Sequence, residues 1–227
     1  MEENMEVNTG QENEPGKKSE KKSGKKFLSD VMEIVESTLV TVFVIVMIFT
    51  YILHPVNVVG TSMTNTLQDG DRIFMTTVYG SLSYGDIVVI NNDMAYLLDG
   101  DNKIIEKNID GSSLKECIIK RVIATGGQTI KLIPESGDVI VDDKTLDEPY
   151  IKEKLRNSGT FAYPITVPDG YYFVMGDNRN GSSDSRNPDI GLIKKDQIYG
   201  KAILRYAPIS DFKYLGDSYK HNSNEEQ

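Results

Sequence analysis

Two hydrophobic patterns divide the chain. Residues 37–53 form an uncharged apolar run of 17 residues, "STLVTVFVIVMIFTYIL". After this run, apolar residues mostly recur at every second position, in short segments rich in Val, Ile, Tyr and Phe that Gly, Pro, Asn and Asp separate. A period of two is typical of β-strands that bury one face. We therefore predict one apolar, transmembrane helix followed by a mainly β domain built of antiparallel sheets.

The predicted strands lie at residues 72–79, 86–92, 117–124, 129–133, 138–143 and 171–177. The stretch "VDDKTLDEPYI" at 141–151 indicates a hairpin turn and a return strand. Residues 94–116 are a polar insertion in which neither period is clear, so no element is predicted there. Cys117 follows this insertion in an apolar stretch and is expected to be a small, buried core residue.

The apolar run is long enough to cross a membrane, although its length is at the short end of the range. Residues 31–36 extend it into the headgroups, and Pro55 is expected to end the helix. A buried core helix and a cleaved signal peptide fit a similar composition. However, the run ends in "TYILHP", which lacks the small-x-small pattern of a cleavage site. We therefore predict an uncleaved signal anchor.

The predicted organisation has four parts. A disordered cytoplasmic tail (1–30) and the transmembrane anchor (31–53) precede an extracytoplasmic β-rich domain (54–215) and a disordered tail (216–227). Lysine pairs at 17–18, 21–22 and 25–26 come before the anchor, and no lysine follows it closely. This asymmetry predicts a cytoplasmic N-terminus in the plasma membrane, with the β domain outside. His54 is then expected at the membrane interface.

Composition narrows the possible functions. The net charge of −9 argues against nucleic acid as a partner, because phosphate binding needs a basic surface. The chain has one cysteine, so the fold forms without an intrachain disulfide even outside the cytoplasm.

Three short stretches carry candidate chemistry: "GTSM" at 60–63, "IIKRVIA" at 118–124 and "GDNRNGSSDSR" at 176–186. Taken singly, each also fits an ordinary turn or strand. Lys120 is unusual because, on a strand, it shares a face with Ile118 and Val122. Burial there would lower the pKa of the amine, and a neutral lysine can act as a general base.

A nucleophilic serine needs such a base. A Ser-His-Asp triad is nearly excluded, because the histidines are His54 beside the anchor and His221 in the polar tail. The Ser-x-x-Lys pattern fails, because Asn65 stands three residues after Ser62. Lys120 on a separate strand fits a Ser/Lys dyad.

The third stretch begins like a calcium loop, but Arg179 stands where an oxygen ligand is needed, so no metal is predicted. A structural loop is favoured. In it, ion pairs are expected among Asp177, Arg179, Asp184 and Arg186, with hydroxyl hydrogen bonds from Ser182 and Ser183.

In this order after an apolar anchor, "GTSM", "KRV" and "GDNR…SSDSR" resemble the type I signal peptidases of bacteria, over most of residues 36–208. The resemblance implies a membrane-bound serine endopeptidase that removes signal peptides from exported pre-proteins through an acyl-enzyme, without a cofactor. It implies Ser62 as the nucleophile and Lys120 as the base. It places Ser182 where a hydroxyl orients the lysine amine. The loop residues Asp177, Asn178, Arg179, Asp184 and Arg186 would brace the site.

The sequence departs from the family pattern in three places. Asn65 replaces a usual proline, and "GGQ" at 126–128 replaces a frequent Pro-Gly-Asp, so a rigid turn or a cap is in doubt. Gly60 stands where some relatives carry a serine whose hydroxyl helps the oxyanion hole. The main-chain N–H of Ser62 is then the expected oxyanion donor.

Other function classes stay open at the level of sequence. A Ser/Lys peptidase related to self-cleaving repressors would lack an anchor and carry a DNA-binding module. A non-enzymatic, anchored wall-binding or scaffold domain would have no reactive serine. A sortase is disfavoured because Cys117 lacks a suitable histidine. The signal-peptide reaction is favoured because Ser62 follows Leu53 by only nine positions. This stretch reaches at most about 30 Å, so the serine lies near a membrane-bound substrate.

Overall fold

The computed structural model describes residues 19–109 and 117–216. Its N-terminal element is helix α1, Ser19–Tyr51. Within it, Lys26–Tyr51 has a mean hydropathy of 2.2 and is long and apolar enough to cross a membrane. This agrees with the expected transmembrane helix and fits a single-pass anchor.

The rest of the described chain is mainly β-structure. The strands are β1 Leu53–Asn57, β2 Arg72–Thr76, β3 Ile87–Asn91, β4 Met94–Leu98, β5 Ile104–Asn108, β6 Cys117–Thr125, β7 Thr129–Ile133, β8 Asp138–Val141, β9 Lys144–Thr145, β10 Ile165–Thr166, β11 Tyr171–Met175, β12 Ile193–Lys194, β13 Ile198–Ala207 and β14 Lys213–Tyr214. Short 3-10 turns lie at Lys195–Gln197 and Ile209–Asp211. The prediction of a mainly β domain of antiparallel sheets is confirmed.

Three sheets make up this domain. The largest has the order β1-β2-β13-β3-β6-β11-β12, with β14 paired to β13. A second has the order β10-β7-β8-β9, and β4 and β5 form a hairpin. All the pairings are antiparallel. The large sheet is what positions the site, because β6 is held on both sides, by β3 and by β11.

Strand β6 separates two buried regions. Val122 belongs to one apolar cluster with Val88 and Val174, and Ile118 packs against that cluster. Ile123, from the other face of the strand, belongs to a different cluster with Phe173. This alternation is what the period of two predicts, and it gives Lys120 and Arg121 different surroundings.

The ends of the helix differ from the prediction. Helix α1 begins at Ser19, within the segment 1–30 expected to be disordered, and it ends at Tyr51 rather than at residue 53. Pro55 therefore lies in β1 instead of ending the helix. It is tolerated there because β1 is an edge strand, where a missing N–H breaks no ladder.

The polar insertion at 94–116 contains the β4–β5 hairpin, which the sequence did not predict. Tyr96 explains why the hairpin is stable, because its side chain is buried and its carbonyl accepts a hydrogen bond from Leu192 N. Residues 110–116 lie outside the described part of the chain. So do residues 217–227 of the expected C-terminal tail, and residues 1–18.

The hairpin predicted within 141–151 is present, but its return strand is only β9. Asp142 and Asp143 both have positive φ, 48° and 61°. The two-residue turns that are favoured between twisted strands require this conformation. Strand β13, the longest, was missed. A bulge near Gly200 interrupts its alternation, and a side chain there would overlap the Thr76 backbone.

Candidate active site

Ser62 lies in a loop between β1 and β2, which we call the serine turn (residues 58–71). Backbone hydrogen bonds close this turn at its base, from Val58 N to Asp71 O and from Gly70 N to Val58 O. Met63 and Leu67 are buried in an apolar cluster and anchor the turn from below. Ser62 itself stays half-buried, so its hydroxyl is fixed in place but accessible.

Lys120 projects from β6 directly at this hydroxyl. Its Nζ lies 2.8 Å from Ser62 Oγ. The residue is only 3% exposed, so the amine is largely shielded from solvent. The two residues that sequence reasoning selected, 58 positions apart in the chain, are therefore in hydrogen-bond contact.

Burial lowers the pKa of Lys120 from 10.5 to about 8. The charges of Asp184 and Asp177 act against this effect and raise the pKa, while Arg186 lowers it. The net result is an amine that loses its proton at about pH 8, well below the pH at which a solvent-exposed lysine does so. A neutral amine 2.8 Å from a serine hydroxyl can accept that hydroxyl's proton.

The loop at residues 176–186, which we call the GDNR loop, holds the backbone of the serine turn. Asn178 N donates to Ser62 O at 3.0 Å, and the Asn178 side chain donates to Thr61 O at 3.2 Å. A side chain at Gly176 would overlap both Ser182 and the Ser62 carbonyl. Glycine is therefore needed at 176 for the two segments to approach this closely.

Ser182 lies beside this contact. Its hydroxyl donates to Ser183 O at 3.4 Å, so the expected hydrogen bond with the Lys120 amine stays a prediction. The expected pair Asp184–Arg186 is present and buried, with Arg186 Nε and Nη2 donating to the two carboxylate oxygens at 2.8 and 2.7 Å. Burial opposes ionisation of Asp184, but Arg186 and the Gly176 N–H outweigh it and lower the pKa of Asp184.

Two residues that were expected to form ion pairs within the loop instead have partners outside it. Asp177 accepts hydrogen bonds from Arg121 Nε and Nη2, at 2.8 and 2.6 Å, and Arg179 pairs with Glu148. The loop cannot pair internally at these positions because both side chains point towards other segments. The sequence did not predict a role in the site for either Arg121 or Glu148.

For Arg121, the sequence carries a signal that it needs a partner, although it does not say which one. Arg121 lies on an apolar strand, and a buried guanidinium needs a carboxylate partner. Thr66 was also missed; its hydroxyl lies 2.5 Å from Asp177 Oδ2 and ties the serine turn to the same ion pair.

A cleft of about 360 Å³ opens beside the dyad. The serine turn, β1 and the start of β6 line it mainly with aliphatic side chains, and Ser62 and Lys120 stand on its wall. Cys117 also lines this cleft and is exposed. The expectation of a buried cysteine is thus wrong, because Cys117 is the first residue of its strand and lies beyond the core.

Gly60 has a φ of +87°, and a side chain added there would meet no atom within 4 Å. Space is therefore available for the serine that some relatives carry, but the left-handed backbone favours glycine. Gly60 N donates to Asp69 Oδ1 at 2.7 Å. In the described residues, no group of three or more His, Cys, Asp or Glu side chains is placed to hold a metal ion.

The structure accounts for the two turns in which the sequence departs from the family pattern. Asn65 has a φ of +90°, which proline cannot adopt, and its amide donates to Ile151 O. Gln128 Oε1 accepts from Thr125 N at 2.9 Å, so a cap is kept where the family pattern has Asp. Neither replacement disturbs the dyad.

The chain is similar to known proteins over most of its length. Residues 31–207 match the family model described as signal peptidase, peptidase S26. Signal peptidase I of Bacillus licheniformis is 34% identical over 205 residues, which cover 86% of this chain and 97% of that protein. Signal peptidase I T of Bacillus subtilis is 33% identical, covering 85% and 93%.

Signal peptidase IB of Staphylococcus aureus is 32% identical, covering 82% of this chain and 94% of that protein. Among solved structures, a signal peptidase I from Enterococcus faecalis aligns with 55% of this chain and 98% of that one. It has a TM-score of 0.38 and 23% identity.

Proposed function

Since the chain belongs to the signal peptidase family, peptidase S26, we propose that it removes N-terminal signal peptides from exported pre-proteins with a Ser62/Lys120 dyad. One observation carries this proposal above the others. A buried lysine whose pKa is lowered to about 8 lies 2.8 Å from the hydroxyl of a half-buried serine on the wall of a cleft.

The reaction begins with the neutral Lys120 amine. It accepts the proton of Ser62 as the serine oxygen attacks the carbonyl carbon of the scissile bond. Collapse of the tetrahedral intermediate gives an acyl-enzyme, and the amine of the departing mature chain takes the proton from Lys120. Lys120 then removes a proton from a water molecule that attacks the ester. It gives this proton to the Ser62 oxygen as the ester bond breaks, which releases the signal peptide and restores Ser62.

The negative oxygen of the intermediate needs a donor. The Ser62 N–H makes no hydrogen bond within the described part of the chain, which supports its role as the oxyanion donor. Asn178 holds the Ser62 carbonyl from the opposite side of the same residue. Asp184 and Arg186 brace the loop that carries Asn178, so they act on the geometry and not on the substrate.

The substrate of this reaction would bind extended in the cleft, against the edge of a strand. The aliphatic walls and the small volume favour Ala or another small side chain immediately before the cut and two residues earlier. Large side chains would be rejected by steric overlap.

Helix α1 would anchor the enzyme in the plasma membrane beside this substrate. The lysine pairs before the apolar segment favour a cytoplasmic N-terminus and an extracytoplasmic catalytic domain. Protease added to intact protoplasts should then digest a C-terminal tag and spare an N-terminal one. The reverse pattern would contradict the proposed orientation.

The direct test is cleavage of a pre-protein by the detergent-solubilised full chain, with the cut mapped by mass spectrometry. Ser62→Ala should abolish cleavage, whereas Ser81→Ala, at an exposed serine on the loop before β3, should leave it intact. A serine-directed acylating probe should label the wild type at Ser62. Cleavage by Ser62→Ala at the same bond would contradict the proposal, and an unreactive serine would favour a scaffold domain.

A further inference from the structure

Residues 148–152, which we call the EPYIK segment, contact both halves of the site. Ile151 O accepts from the Asn65 side chain of the serine turn at 2.9 Å, and Lys152 N donates to Asp177 O in the GDNR loop at 3.1 Å. Glu148 accepts two hydrogen bonds from Arg179 of the same loop. The segment thus joins the two loops that must stay in register for Ser62 to face Lys120.

Tyr150 is the buried centre of this segment, with only 2% of its surface exposed. Its ring covers the Arg121 guanidinium, with 4.0 Å from the guanidinium carbon to the ring centroid. Arg179 lies 5.9 Å from the same centroid. A desolvated cation over a tyrosine face is a favourable contact, and it also keeps water from the cation.

The Tyr150 hydroxyl is held as firmly as the ring. It donates to Glu148 Oε1 at 3.0 Å and lies 3.0 Å from the Tyr84 hydroxyl. Burial raises the pKa of Tyr150, so this hydroxyl stays protonated. The position of the ring over Arg121 is therefore set from both ends.

Asp177 connects Arg121 to the Ser62/Lys120 dyad. Arg121 neutralises Asp177 through two hydrogen bonds, and Asp177 also bonds the Thr66 hydroxyl in the serine turn. The charged groups that act on the Lys120 amine are Asp184, Asp177 and Arg186, and Ser62 is its hydrogen-bond partner. How completely Arg121 compensates Asp177 therefore bears on the proton affinity of Lys120.

We propose that Tyr150 is a positioning residue for the Ser62/Lys120 pair, which it serves by sealing the Arg121–Asp177 ion pair from water. This inference rests on the proposed function. Tyr150 touches neither the substrate nor the reacting atoms in this scheme. Tyr150 keeps Arg121 paired with Asp177. Through this pair it fixes the position of the serine turn and the charge that acts on Lys120.

The test compares Tyr150→Leu and Tyr150→Phe in the full, detergent-solubilised chain, with kcat and KM measured across pH on a peptide substrate. Leucine keeps bulk but removes the π-face. Water then loosens the Arg121–Asp177 pair, the less compensated Asp177 raises the pKa of Lys120, and the pH midpoint of kcat moves up. We expect kcat at neutral pH to fall roughly 10-fold or more, with KM within about threefold.

Tyr150→Phe keeps the ring and loses only the hydroxyl contacts, so it should recover most of the kcat lost in Tyr150→Leu, with a smaller upward shift of the midpoint. The matched control is Tyr96→Leu. Tyr96 is also buried, and Lys194 lies 5.9 Å from its ring centroid, but it is in the β4–β5 hairpin. That variant should lose thermal stability and keep the wild-type pH midpoint.

A folded Tyr150→Leu with the wild-type midpoint and kcat would overturn the inference. If Tyr150→Leu does not fold, Tyr150→Phe decides the question. Its ring still covers Arg121 and should preserve most of the wild-type kcat, so a loss of 10-fold or more would overturn the inference. The proposed function fails in a different way, since wild-type protein would then cleave no better than Ser62→Ala.

Discussion

Lys120 and Arg121 are neighbouring cations on one strand, and the protein treats them in opposite ways. Both are buried, with 3% and 0% of their surface exposed. Arg121 has a complete set of partners, with two hydrogen bonds to Asp177, one to Gly85 O and one to Thr66. Lys120 instead lies against a neutral hydroxyl, and the carboxylates act on it only through space.

The difference shows how one strand supplies both stability and reactivity. A buried cation with a bonded carboxylate keeps its charge and joins segments of the fold. A buried cation without one tends to lose its proton, which is the property a base needs. Alternation along β6 puts these two outcomes on opposite faces, only one residue apart.

The largest expected effect is the loss of cleavage when Lys120 is replaced by arginine, the residue found at position 121. Lys120→Arg keeps the charge but cannot give up a proton in the working range, so cleavage should fall about 10²–10⁴-fold, as it should in Lys120→Ala. Cleavage of a peptide substrate across pH checks this. Lys131→Arg, at an exposed position on β7, is the control and should behave as wild type. Near wild-type cleavage by Lys120→Arg at any pH would remove Lys120 from the mechanism.

Arg121→Met should produce the next largest effect, on stability. It leaves the Asp177 carboxylate buried without its partner, and breaking such a pair costs about 3–5 kcal/mol. Urea unfolding of the detergent-solubilised protein measures this loss. A stability equal to wild type would mean that the Arg121–Asp177 pair does not hold the serine turn.

Lys120→Met should shift stability in the other direction. The pKa of Lys120 is lowered from 10.5 to about 8, so between these values the unfolded chain binds more protons and wild-type stability rises with pH. Below pH 8 the folded protein carries the full cost of the buried charge. Methionine removes that cost, and we expect a gain of roughly 1–3 kcal/mol at pH 7. The same unfolding experiment at pH above 10.5 should show almost no gain.

The next effect is the pH dependence of cleavage by the wild-type protein, which should be smaller than the effects of the substitutions above. Because only the neutral amine accepts the serine proton, cleavage should rise about tenfold per pH unit on the acidic side and level off above pH 8. Ser62→Ala background rates provide the control. A rate that stays flat between pH 6 and 8 would contradict a lysine base with this pKa.

The smallest expected effect concerns the brace. Asp184 raises the pKa of Lys120, so Asp184→Asn should move the pH midpoint of cleavage down, by less than about one unit. Thermal unfolding should also show reduced stability, because Arg186 loses its ionic partner. If neither the midpoint nor the stability changed, Asp184 would not brace the site.

Local features of the sequence predicted much of this structure. Strand β7 has the predicted bounds, and β6 extends the predicted segment by one residue, because both have clear alternation and distinct ends. The dyad could be predicted because the alternatives were few: two histidines, both badly placed, and one lysine with apolar neighbours on its strand face.

What could not be predicted depends on contacts distant in the chain. Arg121–Asp177 spans 56 positions and Arg179–Glu148 spans 31, and no local pattern specifies either partner. Strand β13 was missed because its bulge and Gly200 break the period of two, although it pairs with both β2 and β3. Cys117 was assigned to the core from its apolar neighbours, but its exposure depends on where the strand begins.

The position of Cys117 gives the chain a reporter of its own. It is the one cysteine in the sequence, it is exposed, and it stands on the wall of the cleft that contains Ser62. A fluorophore or spin label attached through its sulfur would therefore sit at one defined place, with no other thiol to remove first. Changes in the signal on adding a peptide would report occupancy of the cleft in real time, even in a Ser62→Ala protein that completes no turnover.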